Sequence, residues 1–226
     1  NALGNLLNAA ENGIGHGARG YLITDWGDHG HWQPLPVSYL GFIAGAAYAW
    51  ALEANRALDI PRALDEYAFR DWAGVMGRLA YDLGNAYQDI GIRWENNSAL
   101  FILLLQSVEQ IRANEKIAQL TFETTLETID RVMASIGQVR MDRPDAGLIL
   151  QEFELAARML RHACRRGMMA AGKLDPGQVD RWRNELNDDL RSIIEDYRVI
   201  WLKRNRSGGL ADSVARLEKS RADYLG

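Results

Sequence analysis

The feature that most constrains the fold is a long apolar seam in the C-terminal third of the chain. Seven apolar side chains recur there at steps of three or four residues: Val179, Trp182, Leu186, Leu190, Ile193, Tyr197 and Trp201. This is the period of one face of an α-helix, and the residues between them are mainly polar. A long helix that is apolar on one side needs other helices to cover that side, so the chain predicts a packed helical assembly.

Four other segments show the same period, and short polar connections separate them. Connections such as residues 142–144 favour antiparallel neighbours, and Asp175-Pro176 is typical of a helix start. An up-and-down helical bundle follows from this pattern. The further predicted core faces are Leu64, Ala68, Val75, Leu79 and Leu83; Phe122, Leu126, Ile129, Met133 and Ile136; Ile149, Phe153, Ala157, Leu160 and Cys164; and Leu210, Val214, Leu217 and Tyr224.

Residues 1–50 differ in composition from the rest of the chain. They hold nine of the 21 glycines, three of the four histidines and three of the seven tryptophans, but only four of the 56 charged residues. The composition changes between Glu53 and Pro61, which divides the chain into residues 1–55 and residues 56–226. The first part already reads as mid-helix at Ala2, and the chain does not begin with methionine, so we expect a fragment of a longer protein.

The first part contains a helix–glycine–strand pattern followed by a polar loop. Glycines after residue 12 end a helix, and Tyr21–Thr24 has the β-branched and aromatic character of a buried strand. The loop 25–34 follows, and a second helix is predicted over residues 38–52. Functional residues of barrels and open α/β sheets lie just after the carboxyl ends of strands. The loop is therefore the candidate site.

An indole and a carboxylate in this loop suit a sugar ligand. Alternation along an extended chain places Thr24, Trp26 and Asp28 on one side. A pyranose ring stacks its apolar face on an indole, and its hydroxyls donate to a carboxylate. The alternative is structural: Trp26 as a core or rim residue, Asp28 as a turn cap, and the loop residues His29, His31 and Trp32 as packing residues.

Residues 17–31 (GARGYLITDWGDHGH) resemble the last barrel strand of family 20 glycoside hydrolases, the β-N-acetylhexosaminidases. The resemblance implies the last β/α unit of a (β/α)₈ barrel followed by an antiparallel helical bundle, in a mainly α chain. It implies that Trp26 walls the pocket of a terminal N-acetylhexosamine and that Asp28 binds its outer hydroxyls, although many members carry Glu there. No role transfers to Asp25, His29 or His31, which with Trp32 are candidate loop contacts.

Two later segments extend the resemblance. Residues 96–101 (NNSALF) and 201–210 (WLKRNRSGGL) resemble the helical domain that some bacterial members carry at their C-terminal end, which is associated with dimers. We therefore expect a homo-oligomer, through this domain or through the unpaired edge of the strand. Arg204 and Arg206 are interpreted as cations that favour the C-terminal end of a helix before a glycine pair.

The same resemblance implies a substrate-assisted retaining mechanism, in which the 2-acetamido group attacks the anomeric carbon. An adjacent Asp-Glu pair on an earlier strand orients the acetamide and protonates the leaving group. The neighbours Asp65 and Glu66 lie in a helical stretch with no strand before it, so they are rejected as that pair. The chain is thus expected to contain no catalytic residue, to need no cofactor or metal, and to be inactive alone.

Two other functions stay open from the residues. Asp25, Asp28, His29 and His31 have metal-ligand chemistry, which would suit a metal-dependent barrel hydrolase. The chain is alternatively a helical interaction module without a site of its own. Nucleic acid is not an expected partner, because the net charge is −4. Apolar runs such as Leu100–Leu105 are too short for a membrane span, which favours a soluble, cytoplasmic protein.

Overall fold

The computed structural model describes residues 2–27, 29–30, 32–92, 97–173 and 175–225. Within these ranges the backbone forms ten α-helices and no strand. They are α1 (Ala2–Gly15), α2 (Leu35–Asn55), α3 (Ile60–Ala63), α4 (Met76–Asn85), α5 (Ala99–Leu105), α6 (Val108–Arg112), α7 (Phe122–Met133), α8 (Ala146–Ala170), α9 (Val179–Arg204) and α10 (Leu210–Ala222). The prediction of a mainly α chain with a helical bundle is confirmed.

The centre of the bundle is α8, which contacts α5, α6, α7 and α9. Its predicted apolar face is buried at Ile149, Phe153, Ala157 and Cys164. Ion pairs between α8 and α9 run in opposite order along the two helices, from Glu152–Arg204 to Arg158–Asp196 and Arg165–Glu185. The two helices are therefore antiparallel, as their short connection predicts.

The apolar seam predicted along α9 forms a core face in the structure. Leu186, Leu190, Ile193 and Tyr197 are all buried, and α10 packs against the same helix. Asp175 caps the turn that precedes α9 by accepting the amide hydrogen of Gly177 at 3.3 Å. The helix ends at Arg204, and α10 begins directly after Gly209, whose φ of 79° suits glycine.

The predicted strand at Tyr21–Thr24 is not formed. These residues lie between α1 and α2 outside any strand: the Tyr21 hydroxyl donates to the Leu6 carbonyl at 2.7 Å, and Ile23 packs against Gly45 of α2. A strand exists only when a neighbour completes its hydrogen bonds, and the described part of the chain offers no partner strand. The β/α barrel unit is thus not seen here.

The predicted core face Leu64–Leu83 does not lie on one helix, although Leu64, Leu79 and Leu83 are buried as predicted. The chain forms α3, a π-helical segment Leu64–Phe69, a turn and then α4. Asp71 causes the break, because its carboxylate accepts the amide hydrogens of Val75 and Met76 at 2.9 and 2.8 Å and caps the start of α4.

Asp65, one half of the Asp-Glu neighbours rejected as the catalytic pair, is buried at this break. It accepts the Gly77 amide hydrogen at 2.7 Å. Burial, together with the negative charges of Asp71 and Asp59, raises the pKa of Asp65 to about 6. The carboxyl joins the π-helical segment to α4, which is a structural role.

Arg204 lies at the C-terminal end of α9, but its side chain is largely buried rather than exposed to solvent. Its Nε and Nη2 atoms donate to the two carboxylate oxygens of Glu152 at 2.6 and 2.7 Å, and it also binds Asp145. Glu152 is only 1% exposed. The pair is a buried, bidentate link between α8 and α9, and only Arg206 keeps the exposed position expected for both arginines.

The C-terminal helix is held by a second buried arginine. Arg166 of α8 is fully buried, donates to the Leu103 carbonyl at 2.6 Å and to the Gln106 carbonyl, and forms an ion pair with Asp223. Ser220 donates to the Leu104 carbonyl at 2.9 Å. These bonds fix the end of α10 against α5 and α8.

The second helix, α2, has the length and composition of a helix that could cross a membrane. Core helices of water-soluble proteins meet the same criteria, and α2 packs Ala44, Tyr48 and Leu52 into the core. Only 28% of its most apolar window is buried, so much of its apolar surface is uncovered in the single chain. The helix ends at Asn55, where the sequence predicts a domain boundary, but it also contacts α3, α4 and α8.

Candidate functional site

A large cleft lies beside the segment that the sequence singles out. Its volume is about 740 Å³, and α1, residues 21–26, α2 and α4 form its walls. Most of the lining is apolar, including Leu6, Val37 and Leu40, while Thr24, Asp25 and Trp26 supply polar groups at one end. A mainly apolar cleft with a few polar groups is the usual form of a small-molecule site.

Trp26 presents an accessible indole at this cleft. The side chain is 74% exposed, and its Nε1–H donates to Thr24 Oγ1 at 2.8 Å. The bond shows that the two side chains lie on one side of the segment, as the alternation predicts, and it orients the ring. Trp26 is therefore not a core residue in this structure, and its π-face is open to a ligand.

Asp25 places a carboxylate at the same end of the cleft. It is exposed and accepts a hydrogen bond from Gln33 Nε2 at 3.4 Å. This hydrogen bond joins the two ends of the loop, because Asp25 directly precedes Trp26 and Gln33 directly follows Trp32. The sequence pattern gave no signal for Gln33, since a lone amide in a loop has no characteristic spacing. Asp28 and His31, both predicted above, lie outside the described residues.

Trp32 and His29 face the helical part of the chain rather than the cleft. Trp32 is 4% exposed, its Nε1–H donates to the Ser213 carbonyl at 3.2 Å, and its ring lies 5.8 Å from that of Phe101. The His29 ring lies 6.1 Å from the same phenylalanine. Both residues thus pack the loop onto α5 and α10, which agrees with the structural reading of these positions.

A smaller cavity of about 250 Å³ lies on the other side of the loop, against α8 and α9. Its walls include Trp32, Tyr197, Trp201 and Glu152. The polar atoms of two of these are already engaged, because Trp201 Nε1 donates to the Arg206 carbonyl at 2.7 Å and Glu152 pairs with Arg204. We assign no chemistry to this cavity.

The other titratable groups of note are buried and structural. His162 bonds Asp189 Oδ2 through Nδ1 at 2.8 Å and the Tyr224 hydroxyl through Nε2 at 2.9 Å, and burial lowers its pKa. Burial raises the pKa of the Cys164 thiol to about 12, so this cysteine is an inert core residue as expected. Neither group reaches a cavity described above.

Within the described ranges, no three acidic, histidine or cysteine side chains are grouped as metal ligands would be. The metal hypothesis also uses Asp28 and His31, which lie outside those ranges, and it stays a hypothesis. Comparison of the chain with protein-family profiles, with curated proteins and with solved structures found no match.

Proposed function

We propose that this chain supplies part of the sugar pocket of a glycoside hydrolase that removes non-reducing terminal β-N-acetylhexosamine. The observation that carries the proposal is the exposed Trp26 indole, held by Thr24 at the rim of a large cleft beside the Asp25 carboxylate. An open indole face stacks on the C–H face of a pyranose, and a neighbouring carboxylate accepts hydrogen bonds from its hydroxyls.

The proposed mechanism is substrate-assisted retention, and the chain contributes binding rather than the chemical groups. The Asp-Glu neighbours are not the proposed acid: neither Asp65 nor Glu66 lines the cleft, and Asp65 is buried and accepts the Gly77 amide hydrogen. Trp26 and Asp28 are the proposed sugar contacts, and the partner is a glycan that carries N-acetylhexosamine. The chain alone is expected to release no sugar.

Sugar binding by this chain tests the proposal directly. Titration with N-acetylglucosamine or N-acetylgalactosamine, followed by tryptophan fluorescence and by NMR of the indole N–H groups, should perturb Trp26. Trp26→Ala should abolish the response. Trp50→Ala is the matched control, since Trp50 is 89% exposed but does not line the cleft. Absence of binding by the unaltered chain would contradict the proposal.

Hydrolysis supplies the second arm. A longer enzyme that contains this chain should cleave an aryl β-N-acetylglucosaminide, and Trp26→Ala in that enzyme should lower kcat/KM by about 2- to 10-fold, as expected for loss of a stacking contact worth ~0.5–1.5 kcal/mol. The isolated chain should show no turnover. Unchanged hydrolysis in the variant would remove Trp26 from the pocket.

An interaction module is the second candidate, and the uncovered apolar surface of residues 1–55 favours it. Leu22 is 85% exposed, and Ile14 and Trp50 are exposed as well. Apolar surface of this kind marks protein interfaces. Self-association without any sugar binding would support this candidate over the glycosidase.

A further inference from the structure

We infer that α5 and α10 hold Gly30 and Trp32 in place and thereby set the position of Trp26, with Trp32 as the positioning residue. This rests on the proposed function only where it concerns sugar affinity. The conformational part concerns the free chain and stands on the contacts of Trp32, Gly30 and Gln33.

Trp32 is buried like a core side chain, although it belongs to a loop. Its indole N–H is bonded to the Ser213 carbonyl of α10, and its ring packs at 39° to Phe101 of α5. A buried aromatic side chain with a satisfied polar atom contributes both packing and direction. The loop is thus fixed at this point to two helices that lie more than 65 residues further along the chain.

Gly30 shows how closely the loop approaches α10. Its φ of 86° is in the left-handed region, and a Cβ there would lie 3.1 Å from Trp32 Nε1 and 3.3 Å from Ser213 Oγ. Only glycine combines this backbone conformation with so little space. The close approach of Gly30 and Trp32 to Ser213 leaves these two residues little freedom to shift along α10.

The hydrogen bond between Gln33 and Asp25 connects the fixed end of the loop to the cleft. Gln33 follows Trp32 directly, and Asp25 directly precedes Trp26. A shift of Trp32 therefore acts on the residue beside the Trp26 indole through this hydrogen bond. The helix to which Trp32 is bonded, α10, is itself held in place by the Ser220 hydrogen bond and by the Arg166–Asp223 ion pair.

The consequence for binding is a population effect. If the contacts of Trp32 with Phe101 and Ser213 are weakened, Trp26 occupies its binding conformation for a smaller fraction of the time. The apparent sugar affinity then falls in proportion to that fraction. Coupling of this kind is reciprocal, so a sugar bound at Trp26 stabilises the packing of α10 by the same amount.

NMR of the indole N–H groups tests the conformational part without any sugar. Phe101→Leu removes the ring partner of Trp32 from outside the loop, and Trp32→Phe keeps a ring but removes the N–H donor. In both, the Trp26 signal, assigned with Trp26→Phe, should shift or broaden while the far-ultraviolet circular dichroism stays that of the native chain. Trp72→Phe, at an indole that is 77% exposed and does not line the cleft, is the matched control and should leave the Trp26 signal unchanged.

The sugar arm uses the same variants and N-acetylglucosamine as the probe. Phe101→Leu and Trp32→Phe should weaken binding by about three- to tenfold, and Trp32→Ala more, because affinity follows the competent fraction. An unaltered Trp26 signal in folded Phe101→Leu and Trp32→Phe would overturn the inference, whether or not sugar binds. A shifted Trp26 signal in a chain that binds no sugar would refute the proposed function and leave the positioning role intact.

Discussion

Asp65 makes the stability of the chain depend on pH. Its pKa is about 6 in the folded chain, above the ordinary 3.8, because burial disfavours the charged form. The folded state therefore takes up a proton at a higher pH than the unfolded state. The contribution to stability is full below pH ~4 and is lost as the pH rises to about 6.

Asp65→Asn should remove this dependence, because the amide oxygen can still accept the Gly77 amide hydrogen. We expect the variant to gain on the order of 2 kcal/mol between pH 4.5 and pH 7.5 relative to the unaltered chain, since one pKa unit corresponds to ~1.4 kcal/mol. Urea unfolding at the two pH values measures the change. Glu66→Gln, at the exposed neighbour, is the control and should show no such gain.

At Gly167 the backbone of α8 lies close to the Phe122 ring of α7. A Cβ there would lie 2.3 Å from a ring carbon of Phe122. Gly167→Ala should therefore destabilise the chain by about 1–3 kcal/mol through overpacking, despite the better helix propensity of alanine. Thermal unfolding measures the effect, and Gly167→Ala with Phe122→Leu should recover part of it.

Gly147 lies in the same helix and supplies the comparison. Nothing surrounds its Cβ position within 4 Å, so Gly147→Ala is expected to be neutral or to stabilise by up to ~1 kcal/mol. Equal destabilisation by both substitutions would show that the contact with Phe122 is not the cause.

At the scale of elements, one of the links between α8 and α9 is a buried ion pair. Arg204→Ala should cost about 3–5 kcal/mol, because it leaves the buried Glu152 carboxylate without its partner. Arg206→Ala, two residues further on and exposed, should change the stability by less than ~0.5 kcal/mol. Chemical denaturation of the two variants decides between this structural role and a simple helix-end cation.

A double variant separates the pair from the helix end. Arg204→Met with Glu152→Leu replaces both charges by apolar groups, and it should recover most of the loss because no charge remains buried. A double variant as unstable as Arg204→Ala would mean that packing at this point, rather than the charge, is responsible.

The elements that the sequence predicts well are those with long, uninterrupted periodicity. The helices α8 and α9 and the glycine break before α10 follow from spacing alone. Spacing predicted the buried residues of the core face Leu64–Leu83 but not its division between a π-helical segment and α4, because it does not register that Asp71 binds the backbone amides at the start of α4. The segment Tyr21–Thr24 failed for another reason, since strand formation depends on a partner that lies elsewhere.

The candidate site was predicted in part. The sequence placed Thr24 and Trp26 side by side, and the Trp26 hydrogen bond confirms this. It did not predict that Trp32 packs against α5 and α10. The contact between Trp32 and Ser213 joins residues 181 positions apart, and such a contact leaves no local sequence pattern. The part of the site that holds the loop is therefore visible only in three dimensions.

For the whole molecule, the uncovered apolar surface of residues 1–55 predicts self-association. Trp50 is 89% exposed, and only 28% of the most apolar window of α2 is buried. Light scattering at high protein concentration should report a mass above the 25.4 kDa of one chain. Trp50→Lys should weaken association by about tenfold or more, as loss of a central interface tryptophan costs ~2 kcal/mol or more.

The control for this prediction is Tyr67→Lys, an exposed aromatic residue on the helical part, which should leave the mass unchanged. A clean monomer at all concentrations would contradict the prediction and would leave α2 without an explanation for its apolar surface.

The buried guanidinium of Arg166 has a consequence for how the chain is synthesised. Its carbonyl acceptors precede it, but its carboxylate, Asp223, is added 57 residues later. While the ribosome extends the chain, the end of α8 holds a cation that cannot be desolvated without its counter-ion. Final packing of α8 must therefore wait for α10, so this helical part completes its folding only after translation has passed Asp223.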